Sequence, residues 1–248
     1  MKMKFVPFMI LAMTSMNGCA KLATTLTQAP SANETLASCL VGSWEGNFAS
    51  LSLDGKTDGD LTTLNEGGTG TYSFTSELDP EPTPETFTWF VSDGVLTLVS
   101  TAPEGNAEVR TQMAVLCSGN EVSNFVLTGG SRESLVGEWT LLVPWKQIYI
   151  TGGYSFILGQ IEETITLSAG GSATHSETSS TDQNQDGDLD DTYDDGTGDE
   201  AAERETTLLA DATWSKNTAN ELIFNGGTIR YMTSGSKIGL NPFTRVSQ

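Results

Sequence analysis

A short pattern that occurs twice constrains this chain more than any other feature. Leu40-Val41-Gly42-Ser43-Trp44 returns 95 residues later as Leu135-Val136-Gly137-Glu138-Trp139. Gly67-Gly68-Thr69-Gly70-Thr71 returns 103 residues later as Gly170-Gly171-Ser172-Ala173-Thr174, and Thr88-Trp89 returns 125 residues later as Thr213-Trp214. Three landmarks in one order indicate two copies of a single module. Four Trp residues, Trp44, Trp89, Trp139 and Trp214, occupy matching places and are expected to be structural. The offset grows by 22 between the last two landmarks, and the acidic run 182–200 supplies most of the extra length.

Each copy reads as antiparallel β-structure. Expected strands are 41–53, 60–65, 69–77, 86–91, 94–100, 108–117 and 122–128 in the first copy. In the second they are 135–143, 146–158, 161–168, 171–178, 204–215, 221–225, 228–232 and 237–245. Thr71-Tyr72-Ser73-Phe74-Thr75 and Val95-Leu96-Thr97-Leu98 alternate with the strand period of two. Asp54-Gly55, Asp93-Gly94, Gly119-Asn120 and Gly226-Gly227 punctuate the strands as turns. Helical periodicity shows only near the N-terminus. Seven or eight short strands per copy predict an all-β fold of two tandem small antiparallel up-and-down barrels.

Lys2 and Lys4 precede an apolar stretch, Phe5 to Met13, that is too short to span a bilayer. It ends in Met16-Asn17-Gly18-Cys19, which resembles the lipobox of bacterial lipoproteins. The resemblance implies cleavage before Cys19, lipidation of its sulfur with acyl chains such as palmitate, and anchoring in the bacterial cell envelope. An ordinary cleaved signal with an incidental Cys is the alternative. Ala20 in place of Asp implies sorting to the outer membrane. The chain then divides into a signal peptide (1–18), a lipidated Cys and flexible tether (19–38), and two domains, 39–130 and 131–248. The chain has 12 Lys and Arg against 32 Asp and Glu, for a net charge of −20. Losing residues 1–18 makes it −22. Such a charge repels nucleic acid and leaves the lipid as the membrane contact.

The Gly-x-Trp of a first strand, the Gly-Gly-Thr turn and the later Trp before a hairpin resemble bacterial lipocalin-like domains. Leu40–Trp44, Gly67–Phe74 and Trp89–Leu98, with their second-copy counterparts, carry the likeness. In that family the first Trp closes one barrel end under an Arg from the last strand, a part that the resemblance gives to Arg245 over Trp139. The last strand of the first copy, Val122–Thr128, has no Arg. Copies of about 95 residues are short for a hollow barrel, so side chains are expected to fill the interior.

With Cys19 assigned to lipid, Cys39 and Cys117 remain as a pair in an oxidising compartment, either bridged or as two buried thiols. Asp182-Gln-Asn184-Gln-Asp186-Gly187-Asp188-Leu-Asp190 matches the first half of an EF-hand calcium loop, with oxygen ligands alternating around a Gly that permits the bend. It is similar to dockerin-type and thrombospondin-type calcium loops. Tyr193 stands where a bidentate acid is usual, so Asp191, Asp194 or Asp195 would supply that ligand. A solvated acidic loop is the other reading. The first copy has its own acidic segment, Asp79 to Glu85, interrupted by prolines.

Catalytic signals are sparse. His175 is the single His, lies mid-strand and matches Tyr72, so a structural role is expected. Ser234 and Lys237 have Ser–Lys spacing within a Gly-containing turn, a chance match. These residues predict a non-enzymatic, lipid-anchored binding or scaffolding protein whose partner is an envelope protein or small ligand. A carrier of a small apolar ligand would need an interior void of roughly 300 Å³ or more. A metal-assisted hydrolase would need a cleft joining acids to His175.

Overall fold

The computed structural model describes residues 32–48, 60–74, 84–101, 108–151, 154–183, 189, 192–194 and 200–247. The signal segment, Cys19 and residues 75–83 lie outside the described residues, as do Asn184, Asp186, Asp188 and Asp190. The first half comprises helix α1 (Ala32–Leu40) and strands β1 (Gly42–Glu45), β2 (Asp60–Leu64), β3 (Thr69–Phe74), β4 (Glu85–Ser92) and β5 (Val95–Thr101). β6 (Glu108–Ala114), β7 (Leu116–Ser118), β8 (Glu121–Ser123) and β9 (Phe125–Gly129) complete it. The second half comprises β10 (Gly137–Leu141), β11 (Trp145–Thr151), β12 (Tyr154–Leu167), β13 (Ser172–Ser180), β14 (Thr192–Asp194) and β15 (Glu200–Ala202). It continues with β16 (Arg204–Lys216), β17 (Glu221–Phe224), β18 (Gly227–Ser234), β19 (Lys237–Leu240) and β20 (Phe243–Ser247).

Among the described residues the chain is all-β apart from α1, and it contains a closed eight-stranded antiparallel barrel. Its circuit runs β10, β12, β13, β16, β17, β18, β19 and β9, and returns to β10. The first half repeats this order of pairing. β1 to β6 pair in sequence, Val115 carries β6 into β7, and β7 pairs with β8. β20 then joins β8 to β1.

The last strands therefore change places. β9 follows β8 in sequence yet closes the second-half barrel, and β20 follows β19 yet lies in the first-half circuit. A cut at residue 130 divides the sequence repeat but not the strand pairing. The expected strands 122–128 and 237–245 are each broken in two, at Asn124 and at Asn241-Pro242. At these breaks the crossing segments touch, where Ser123 Oγ–H donates to the Leu240 carbonyl at 2.7 Å. Asn241 sits at φ 45°, a conformation that Asn tolerates better than most residues. A further pairing, β6 with β11, makes one 18-stranded network of both halves.

Residues 32–38, expected as tether, are helical. The cause is an apolar i, i+4 spacing that puts Leu36 and Leu40 on one face, against the core built on Trp44, Phe48, Leu64, Leu96 and Met113. Glu34 in the first turn suits the positive end of the helix dipole. Cys39 consequently belongs to α1. It is bridged to Cys117 in β7, with Cα atoms 6.1 Å apart.

The second core gathers Phe125, Leu127, Trp139, Ile165, Leu167 and Ile238 among others. Both first-strand Trp residues are fully buried and donate their indole N–H to the carbonyl four residues back, Leu40 for Trp44 and Leu135 for Trp139, each at 2.8 Å. Burial of so large an apolar group supplies several kcal/mol and fixes the inward phase of the strand. Gly130 is required by this packing, because a Cβ there would stand 2.5 Å from Trp139 Nε1.

The later Trp pair is held by matching turns. Gly68 N–H bonds the Asn65 carbonyl and Trp89 N–H the Gly68 carbonyl; Gly171 and Ser168, and Trp214 and Gly171, repeat both bonds. Trp89 is buried, whereas Trp214 is half-buried against the second core.

Candidate metal centre and its counterpart

Strand register places equivalent residues of the two halves at equivalent points. Trp44 pairs with Thr62, which pairs with Tyr72; Trp139 pairs with Ile165, which pairs with His175. One step further along the same faces, Asp60 pairs with Phe74 and Glu163 with Glu177. Asp60, Tyr72 and Phe74 in the first half thus correspond to Glu163, His175 and Glu177 in the second.

Period-two alternation explains which of these point inward. Glu163, Ile165 and Leu167 are buried while Glu162, Thr164 and Thr166 between them are not. Glu163 is only 5 % exposed. On β13, Ala173, His175 and Glu177 share the inward phase, so the acid pair lies beyond Ile165 from Leu167 and Ala173. His175 Nε2 meets Glu163 Oε2 in a hydrogen-bonded ion pair, and the imidazole stands edge-on to Phe224 with centroids 6.4 Å apart. One ligating atom from each of Glu163, His175 and Glu177 lies within 4.8 Å of the others.

The electrostatics follow from burial and proximity. Hydrogen bonding to Glu163 raises the His175 pKa above its ordinary 6.5, against a smaller opposing effect of burial. Burial raises that of Glu163, with Glu177 adding repulsion and the His175 hydrogen bond working the other way. In the first half, the Tyr72 hydroxyl donates to Asp60 Oδ1 at 2.5 Å. Burial, reinforced by the Asp60 carboxylate, holds this phenol well above its usual range. Beside it is a cavity of about 130 Å³ lined by Phe48, Thr62, Tyr72, Phe87, Leu98 and Thr111.

His175, expected as a half-exposed structural residue, is mostly buried and meets two acids that sequence reasoning did not single out. A signal was present: Glu163 falls in the apolar phase of Ile165 and Leu167, where a carboxylate needs a partner.

Other expected features are placed differently. Arg245 stacks on Trp44, with its Cζ 4.4 Å from the ring centroid, and not on Trp139. The reason is the exchange of last strands, which pairs Arg245 with Trp44 across β20 and β1. Its guanidinium also donates to the carbonyls of Val41 at 3.1 Å and Cys39 at 2.5 Å. Ser234 and Lys237 face each other across the β18–β19 turn as a hairpin register pair. Of the expected calcium ligands, Asp182 is described. It is 2 % exposed and lies at the base of the insertion beside Glu203, which is 4 % exposed. Gln183 N–H donates to Glu203 Oε1 at 2.7 Å, and Thr181 N–H to the Glu203 carbonyl at 3.0 Å.

No family model, curated protein or solved structure matches this chain.

Proposed function

We propose that this is an exported, lipid-anchored protein of the bacterial envelope, built from two lipocalin-like barrels, that binds or scaffolds a partner and does not catalyse. The filled interior carries the reading. Trp139, Leu167, Leu127 and Ile238 occupy the second-half core, and the 130 Å³ cavity of the first half falls well short of the roughly 300 Å³ expected of a carrier site. Binding then belongs to outer surfaces. One cleft of about 590 Å³ beside α1 is lined by Ala37, Val41, Gly68, Trp89, Phe90 and Arg245. The Cys39–Cys117 bridge supports an oxidising compartment, in keeping with the lipobox-like Met16–Cys19. The mass of the native envelope protein tests this. Acylation on Cys19 with residues 1–18 removed is expected; an unmodified or uncleaved chain overturns the anchor, and a retained apolar ligand restores the carrier.

Calcium at 182–190 forms part of the proposal. Burial of the Asp182 and Glu203 carboxylates at the base of a strongly acidic insertion favours a cation there. Asp182, Asn184, Asp186, Asp188 and Asp190 follow the alternating ligand pattern. Calcium-dependent protection of the insertion from protease, lost in Asp186→Ala, is the expected outcome. No protection at millimolar calcium reduces the segment to a solvated acidic loop.

A further inference from the structure

We propose that Glu163, His175 and Glu177 form a binding site for a divalent first-row transition ion, for which zinc is the fitting probe. The donor set makes the choice. One imidazole nitrogen with two carboxylates suits zinc or its neighbours, whereas calcium takes oxygen ligands alone. The three ligating atoms already lie within 4.8 Å of one another. Bonds of about 2.0–2.2 Å hold zinc donors at most ~4.4 Å from one another, a spacing of the same order. Adjacent antiparallel strands in register supply all three groups, so the site rests on backbone pairing rather than on a loop.

The first half provides an internal control. Asp60 and Tyr72 at the matching positions make a hydrogen-bonded brace, and Phe74 stands where Glu177 stands. A brace between these strands therefore needs one carboxylate and one donor. The second half adds another carboxylate beside one that is already 95 % buried, a cost that bracing alone does not explain. A dication between them converts that repulsion into attraction. Three protein donors leave a position for water or a ligand oxygen, so the ion could also hold an anionic ligand. The site is separate from the acidic insertion and differs from it in chemistry.

The test is titration of the full chain with zinc in about 1 mM calcium, a concentration that engages weak oxygen-only sites. One tight zinc per chain is expected. His175→Tyr installs the first-half residue, should fold with its brace to Glu163 intact, and should lose the tight zinc. Glu177→Gln should weaken binding by more than ~10-fold, the lower end of what outer-shell changes cost. Asp186→Ala should leave it unchanged. A folded His175→Tyr that binds zinc as the parent does overturns the proposal, as does absence of saturable binding by the parent. Should His175→Tyr fail to fold, the imidazole resonance of the parent decides. Zinc must move or split that resonance at one equivalent, and a resonance that ignores zinc refutes the site.

Discussion

Removing the Arg245 side chain separates the observed fold from two self-contained repeats. In the structure this residue, from the last strand of the second half, lies over Trp44 of the first. A cation–π contact of this kind is worth ~0.5–2 kcal/mol, and a hydrogen bond from a charged donor ~1.5–3 kcal/mol. Arg245 makes one such contact and two such bonds, but it is half-buried and the terms share one side chain, so Arg245→Ala should cost about 2–4 kcal/mol. The diagnostic quantity is the coupling. Arg245→Ala combined with Trp44→Leu should show an interaction energy of ~0.5–2 kcal/mol by urea unfolding, whereas Arg245→Ala with Trp139→Leu should be additive within ~0.5 kcal/mol. Arg245→Lys should keep the charge but lose the planar fork, and so recover only part of the stability. Coupling to Trp139 in place of Trp44 would refute the strand exchange and restore each last strand to its own repeat.

Reducing the Cys39–Cys117 bridge, or replacing both residues with Ser, opens a loop of 78 residues and should lower stability by about 4.5 kcal/mol in the chain-entropy relation, read as a shift in the urea midpoint. Gly130→Ala forces a methyl against the Trp139 indole and should cost ~1–3 kcal/mol, with Gly170→Ala, where a methyl meets open space and the φ is not positive, as the uncrowded comparison. The single His should give one imidazole resonance whose titration midpoint lies above 6.5, because Glu163 favours the charged ring. For both His175 and Glu163 the folded value is raised, so native binding of protons is the tighter in each case. Their contribution to stability is full below the unfolded values and falls as pH rises through the folded ones. Unfolding free energies from pH 4 to 8 should therefore decline more steeply in the parent than in Glu163→Gln.

Much of the strand plan was legible because its causes are local. Alternation in Val95–Leu98 sets which side chains face inward, Asp93-Gly94 and Gly119-Asn120 set the turns, and the repeated Gly-x-Trp sets where each circuit begins. The α1 helix was hidden in a polar, Thr- and Ser-rich stretch, since Leu36 and Leu40 form an apolar face only once a core exists to receive them. His175 was visible as a residue but not as a site. Its chemistry depends on Glu163 and Glu177, and cross-strand register rather than sequence spacing brings those carboxylates to it.

The exchange of last strands was beyond local reasoning altogether. Phe125–Gly129 and Phe243–Ser247 both read as closing strands, and each follows a hairpin of the same form. Nothing in either segment alone says which half it must join. The sequence by itself determined the repeated landmarks, the β-class and the inward phase of most strands, because turn chemistry and period-two patterning act over a few residues. The tertiary structure decided that β9 and β20 cross, that Arg245 covers Trp44, and that an imidazole meets two acids. Those outcomes depend on backbone hydrogen bonds and packing between residues more than a hundred positions apart for the exchange, and on strand register for the site.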